Sequence, residues 1–223
     1  AHDLNPYVLK PLNYNYKVIS PINQKSLTLI HEYLCRFKTY EDLVLRIDTI
    51  LSALSFGTRS DKFEAALQEI GKLLGFISQR PDHQYNVGPD NLWIFPNGLT
   101  FIGFECKNEV LSTRKCISKE EVGQMNNHIG WFERTYGIDK NIKYIHIHQT
   151  NVVSDKANYT KEVFVTTSKE LTELKKNIKG FIGEFSKYDL KSINEDYIKK
   201  ALETHKLTLK DMESLYSIAP IPL

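Results

Sequence analysis

The sequence predicts an α/β (α+β) fold, a central mixed β-sheet flanked by helices with extra helices at both ends of the chain. Three observations carry that expectation. Strand-like apolar runs gather between positions 91 and 166, a segment of helical period interrupts them at 118–134, and the last third of the chain is mainly helical in period. With 223 residues, 41% hydrophobic and 25% charged, the chain has the means to bury one good-sized core plus a helical appendage, and a disordered class is excluded.

The elements follow in order. Pro6, Pro11 and Pro21 among tyrosines and asparagines make the first twenty or so residues an expected extended arm or strand against the body. Helices are expected over 24–37 and 40–56, the second with Leu43, Ile47, Ile50, Leu51 and Leu54 on one side. Phe63, Ala66, Leu67, Ile70 and Leu74 recur at helical spacing in a third helix that ends near Gly75. The apolar, aromatic run 91–95, a Pro96-Asn97-Gly98 turn and the run 99–107 read as a β-hairpin. A turn centred near Asn97 pairs residues whose numbers sum to about 194 or 195, which sets Asp90 opposite Phe104 or Glu105. Ser118 as N-cap with Glu121 at N3 forms a capping box for the helix 118–134, whose stripe is Val122, Met125, Ile129 and Phe132. Strands are expected at 143–148 and 162–166. Then Leu171, Leu174, Ile178, Phe181, Ile182 and Phe185 form a helical stripe, followed by helices at 193–204 and 208–216. This ordering divides the chain into an N-terminal arm and helices (1–58), a core (59–167) and a C-terminal helical extension (168–223). There is no internal repeat and no low-complexity segment.

A net charge of +2 is too small to mark the whole chain as a nucleic-acid binder, so such affinity has to come from local clusters. Arg114, Lys115 and Lys119 form one cluster beside the hairpin, and Lys175, Lys176 and Lys179 punctuate a later helix. Cys35, Cys106 and Cys116 are odd in number and lack C-x-x-C spacing, which supports neither a disulfide framework nor a zinc site and points to a reducing cytoplasm. No apolar run approaches the roughly 18 residues of a membrane span, and no signal-peptide pattern opens the chain. The first residue is Ala1, as expected either from removal of an initiator methionine or from excision out of a longer protein.

The chemistry centres on Pro89-Asp90 and Glu105-Cys106-Lys107. Side chains alternate along a strand, so Glu105 and Lys107 share one face, while Ile102, Phe104 and Cys106 point to the other. Two carboxylates held together repel unless a cation lies between them, and hard oxygen ligands favour Mg²⁺, with Mn²⁺ able to substitute. Such an ion polarises a phosphoryl oxygen and lowers the pKa of a bound water, and a neighbouring lysine stabilises developing negative charge. Phosphodiester hydrolysis is the reaction this combination suggests. His146 and His148 alternate with Ile145 and Ile147, which reads as a hydrogen-bonded or exposed sheet face rather than metal ligation.

On Asp90, Glu105 and Lys107 the sequence resembles the PD-(D/E)xK nuclease superfamily, whose core holds a metal-binding aspartate, a Glu-x-Lys on the next strand and an acidic residue on a preceding helix. Glu64 matches the helix carboxylate, with Glu69 on the opposite margin of the stripe the weaker choice. Gln124 matches the glutamine of a Gln-x-x-x-Tyr pattern on the following helix, where His128 stands in place of the tyrosine. The resemblance covers roughly 61–149 and implies a restriction-endonuclease-like core. It also implies a Mg²⁺-dependent DNA endonuclease acting in restriction, anti-phage defence or DNA processing. The metal ligands it implies are Asp90, Glu105, the Cys106 main-chain carbonyl and Glu64. Lys107 would orient water or stabilise the pentavalent phosphorus, and Gln124 would position Lys107 or a phosphate. From the residues themselves, Arg114, Lys115 and Lys119 are a cluster suited to a phosphate backbone, and Gln124, His128 and Trp131 are spaced along one side of the helix 118–134, a side to face nucleic acid or another domain.

The wording of Leu74-Gly75-Phe76, of Gly88-Pro89-Asp90-Asn91-Leu92-Trp93 and of Phe104-Glu105-Cys106-Lys107 also resembles nuclease domains attached to bacterial helicases or found in anti-phage systems. No Walker-type Gly-x-x-x-x-Gly-Lys-Ser/Thr occurs, so a helicase or other defence-complex subunit would be a separate partner. A homodimer is a second expected partnership, because a one-site domain cuts both strands as two copies or by successive nicks. The alternative function is a catalytically silent nuclease-fold module for nucleic-acid binding or complex assembly.

Overall fold

The computed structural model describes residues 16–223; the expected arm lies largely outside them. The described chain runs α1 (Ser26–Leu34), α2 (Tyr40–Ala53), α3 (Ser60–Leu73), β1 (Ile77–Gln79), α4 (Pro81–Tyr85), β2 (Asn91–Ile94), β3 (Thr100–Cys106) and α5 (Lys119–Tyr136). It continues through β4 (Asn141–Ile147), β5 (Val152–Val153), β6 (Val163–Thr166), α6 (Ser168–Gly183), α7 (Glu195–Thr204), α8 (Leu209–Ser214) and β7 (Ile221–Pro222). Five strands form one mixed sheet in the order β1-β2-β3-β4-β6. The first three are antiparallel neighbours, and β3, β4 and β6 run parallel. The short β5 and β7 pair separately, in parallel.

Period-two alternation divides the sheet between two apolar layers. Trp93, Ile102, Phe104, Cys106, Ile145 and Ile147 face a cluster built with α1, α2, α3, α6 and α7. Leu92, Ile94, Phe101, Tyr144 and Val163 face the other way, against Met125, Ile129 and Phe132 of α5. The terminal spans 1–58 and 168–223 therefore contribute, through α1, α2, α6 and α7, to the same apolar cluster as β3 and β4. Four of the helices start on a local signal. Thr39, Ser118, Thr167 and Asn194 accept hydrogen bonds from the first-turn amides of α2, α5, α6 and α7, and the boxes at Ser118/Glu121 and Thr167/Glu170 are reciprocal.

The hairpin register comes out at a sum of 195, with Asn91 opposite Phe104 and Leu92 opposite Gly103. Continued by one residue, it sets Asp90 against Glu105. The turn closes through Gly98 N donating to Phe95 O at 2.8 Å, with Gly98 at φ +67°. Strand β1 and helix α4 are absent from the sequence expectation. Three residues are too few to show alternation, and Ile77 becomes strand only because it pairs with Ile94. Helix α4 is a single turn begun by Pro81. No helix among the described residues is long and apolar enough to cross a membrane, and all three cysteines are free thiols.

Close approach between α3 and the sheet depends on Gly71. A Cβ there would lie 2.6 Å from Nε1 and 2.7 Å from Cε2 of the fully buried Trp93. Its backbone is helical, so Gly71→Ala gains helix propensity worth up to about 1 kcal/mol. The overlap with a rigid indole costs about 1–3 kcal/mol. We expect Gly71→Ala to lower stability by about 1–2 kcal/mol in urea unfolding, and a more stable variant would show that Trp93 has room to move.

Candidate active site

The C-terminal ends of β3 and β4 lie at the same sheet edge because the two strands are parallel, and β2 begins there because it is antiparallel to β3. Asp90, Glu105 and Lys107 are thereby gathered at one edge, the place where open α/β sheets commonly present functional groups. Asp90 lies at the entrance to β2, with one carboxylate oxygen, Oδ2, accepting the Cys106 N–H at 2.6 Å. Glu105 is 3% exposed. Lys107 Nζ is 2.7 Å from its Oε1, and His128 Nε2, from α5, is 2.6 Å from its Oε2. The shared face of Glu105 and Lys107 thus matches the alternation, while Cys106 turns into the opposite apolar layer.

Burial raises the Asp90 carboxyl well above its usual range, and the negative charges of Glu105 and Glu64 raise it further. Burial acts on Glu105 in the same direction, but His128 and Lys107 outweigh it and bring its pKa down to about 2. Lys107 is the mirror case. Burial disfavours its charge, yet Glu105 and Asp90 hold its pKa above the ordinary lysine value. Glu105 and Lys107 are consequently a charged pair at neutral pH, and Asp90 is the carboxylate that a cation would change most.

Glu64 projects from α3 close enough to raise the Asp90 pKa, and Arg80 Nη2 donates to its Oε2 at 2.5 Å. Burial keeps the Glu64 pKa above its ordinary value even so. Arg80 is itself 6% exposed, with its Nε lacking a hydrogen-bond partner among the described residues. Sequence reasoning missed Arg80: it sits just before Pro81, outside every apolar period, and only the fold brings it to α3. Glu69 is engaged elsewhere, with Lys72 at 2.7 Å and Arg46 at 3.6 Å. Glu109 Oε2 accepts the Ser60 N–H at 3.1 Å.

A buried polar row continues behind this edge, under α5. His146 lies opposite Glu105 in the β3–β4 register and is fully buried, its Nδ1 3.1 Å from the Tyr159 hydroxyl. His148, also fully buried, accepts the Thr150 N–H at Nδ1 and has Nε2 3.8 Å from Glu121 Oε1. Both are hydrogen-bonded, His146 within β4 and His148 just past its end. Glu121 closes its capping box on Ser118 N at 2.7 Å and is 3.4 Å from Arg114. Burial raises Glu121, but His148 and the Ser118 amide prevail and bring it to about 2.

The remaining predicted residues divide between rim and interior. Arg114, Lys115 and Lys119 are exposed, and an open groove of about 470 Å³ lined by Ser60, Lys107, Asn108, Glu109 and Arg114 lies next to Lys107. Gln124, one turn before His128, is exposed and has no hydrogen-bond partner among the described residues, so Lys107 receives no contact from it. Trp131 packs edge-on against Tyr16 and Tyr136 and covers Gly88, which has φ +71°. It braces the loop that leads to Asp90 rather than standing open as a stacking platform.

The oxygens of Asp90 and Glu105 with the Cys106 carbonyl are a hard donor set of the kind Mg²⁺ and Mn²⁺ take, and their crowding is the electrostatic condition a cation relieves. Among the described residues no group of three or more His, Cys, Asp and Glu side chains is arranged to hold a metal ion. No family model matches this chain, and no curated protein or solved structure matches it either.

Two predictions follow from this geometry. A Cβ at Gly88 would lie 2.6 Å from the Trp131 ring in a left-handed backbone conformation. Gly88→Ala should therefore cost about 1–3 kcal/mol, read as a lower urea midpoint, with an unchanged midpoint counting against Trp131 as the brace. The second concerns pH. Burial lowers the His146 pKa to about 4, below the roughly 6.5 of an unfolded chain, so the unfolded state binds its proton first. Its stabilising contribution is full above about pH 6.5 and falls as pH drops to about 4, by up to about 3 kcal/mol. Asp90, with its raised pKa, works in the opposite direction, so the difference between two proteins isolates His146. The stability of wild type relative to His146→Asn should fall by up to about 3 kcal/mol between pH 7 and pH 4 in melting curves, and a difference that does not change with pH would contradict the assignment.

Proposed function

We propose that this protein is a metal-dependent nuclease of the PD-(D/E)xK type that hydrolyses phosphodiester bonds in DNA. The observation that carries the reading is the meeting of Asp90 and Glu105 across the β2–β3 pair, with the Lys107 ammonium 2.7 Å from Glu105 on the same face. The mixed five-stranded sheet between helical layers is compatible with a restriction-endonuclease-like core.

In this reading Asp90 and Glu105, with the Cys106 carbonyl, hold the ion. A divalent cation there supplies Lewis-acid polarisation of a phosphoryl oxygen and a lower pKa for water. Lys107, kept charged by Glu105, orients the attacking water and stabilises negative charge gathering on the phosphorus oxygens. Arg114, Lys115 and Lys119 line the approach and hold the strand by its phosphates, a salt-sensitive attraction. The buried His146 and His148 row gives β3 and β4 a fixed backing, so that Glu105 has little freedom to turn away.

One observation favours the alternative of a silent binding or assembly module. Glu64 and Glu105 already face charged side chains of the protein itself, Arg80 and Lys107, and Glu105 also contacts His128. The same experiment separates the two readings. With Mg²⁺ or Mn²⁺, the protein is incubated with circular, linear and single-stranded DNA and with RNA. Wild type is expected to cleave DNA, and Asp90→Ala and Lys107→Ala to lose at least about 10²–10³-fold in rate with unchanged circular dichroism. Full activity in either variant removes this mechanism, and salt-sensitive binding without cleavage by wild type supports the module.

A further inference from the structure

The three carboxylates at this edge are not equivalent. Glu64 is joined to a guanidinium that is always charged and almost wholly buried, the two side chains being 14% and 8% exposed. A metal ion on Glu64 would have to displace Arg80, leaving its charge uncompensated in a poorly solvated place, and breaking one side of a buried pair is strongly unfavourable. The partners of Glu105 are easier to move. Lys107 and His128 are 23% and 19% exposed, and Lys107 stands on a flexible four-carbon stem. Asp90 makes no direct ion pair among the described residues, feeling Lys107 only at longer range, and its second oxygen, Oδ1, is without a protein donor.

We propose that the site takes a single divalent cation, on Asp90 and Glu105, and that Arg80 is a positioning residue that fills the place of a second cation at Glu64. This rests on the metal-dependent reading above. Charge balance points the same way. With all three carboxylates ionised, as a bound dication favours, Glu64, Asp90 and Glu105 set against Arg80, Lys107 and the ion sum to one positive charge, opposite in sign to a phosphodiester. Two dications would raise that sum, Arg80 included, to three positive charges, which like-charge repulsion opposes.

Manganese binding tests this without reference to catalysis. Full-length protein is titrated with Mn²⁺ and the free ion followed by electron paramagnetic resonance, for wild type, Asp90→Asn, Glu64→Gln, Arg80→Met, Arg80→Lys and the Glu64→Gln/Arg80→Met double variant, with urea unfolding of each. One equivalent is expected for wild type, none at the same concentrations for Asp90→Asn, and one with affinity changed by no more than a few-fold for Glu64→Gln. Arg80→Met should take up a second equivalent that the double variant loses, while Arg80→Lys stays at one. Two equivalents in wild type, one of them lost in Glu64→Gln, overturn the proposal, as does a folded Arg80→Met that stays at one. If Arg80→Met does not fold, wild type and Glu64→Gln decide the matter by the same stoichiometries. No Mn²⁺ bound to wild type overturns the metal-dependent reading itself, and this one with it.

Discussion

The hydrogen bond from Cys106 N to Asp90 Oδ2 carries the β2–β3 pairing one step beyond the last ladder partner and joins the loop before β2 to the end of β3. Because pairing fixes side-chain direction with period two, a slip of one residue would turn Glu105 and Lys107 into the apolar layer and bring Phe104 and Cys106 under α5. The site therefore depends on a register, and the register depends on which residues the two helical layers accept. Trp93 and Phe104 fit against α3 and α6, and Leu92 and Phe101 against α5, so apolar burial on both sides holds the polar edge in place.

Polar groups at that edge are mostly buried, and three of the carboxylates lie against a neighbour from a different element. Glu64 on α3 answers to Arg80 before α4, Glu105 on β3 to His128 on α5, and Glu121 on α5 lies beside His148, just past β4. Such cross-element pairs add little net stability, but removing one member leaves a desolvated charge, so the set behaves as a unit. The same logic makes the edge electrically soft at one point. Asp90 alone relies on a backbone amide, and it is where an added cation has the most to gain.

Much of this architecture was legible because local signals agreed with the tertiary arrangement. The stripes of α3, α5 and α6, the capping box at Ser118 and the Asn97-Gly98 turn each use a rule that operates within a few residues. Illegible elements were those without a local rule. Ile77–Gln79 is a strand by pairing, and β5 and β7 are two residues each. Helical spacing put Gln124, His128 and Trp131 along one side of α5, to face nucleic acid or another domain; in the fold His128 contacts Glu105, Gln124 is exposed and Trp131 folds over Gly88. Helical spacing assigns residues to a side of the helix, whereas the rotation of α5 over the sheet is set by Val122, Met125, Ile129 and Phe132 and what they bury.

By itself the sequence determined the fold class, the order of most elements and the face shared by Glu105 and Lys107, because alternation, helical period and turn chemistry act over short distances. Only the tertiary structure decided between the two hairpin registers, brought His128 to Glu105 and Arg80 to Glu64, and buried His146 and His148 behind the edge. The physical reason is range. The Arg80–Glu64 pair and the Asp90 contact to the Cys106 amide each join residues 16 positions apart, with no periodicity to announce them, and they exist only where apolar layers have already brought the elements together.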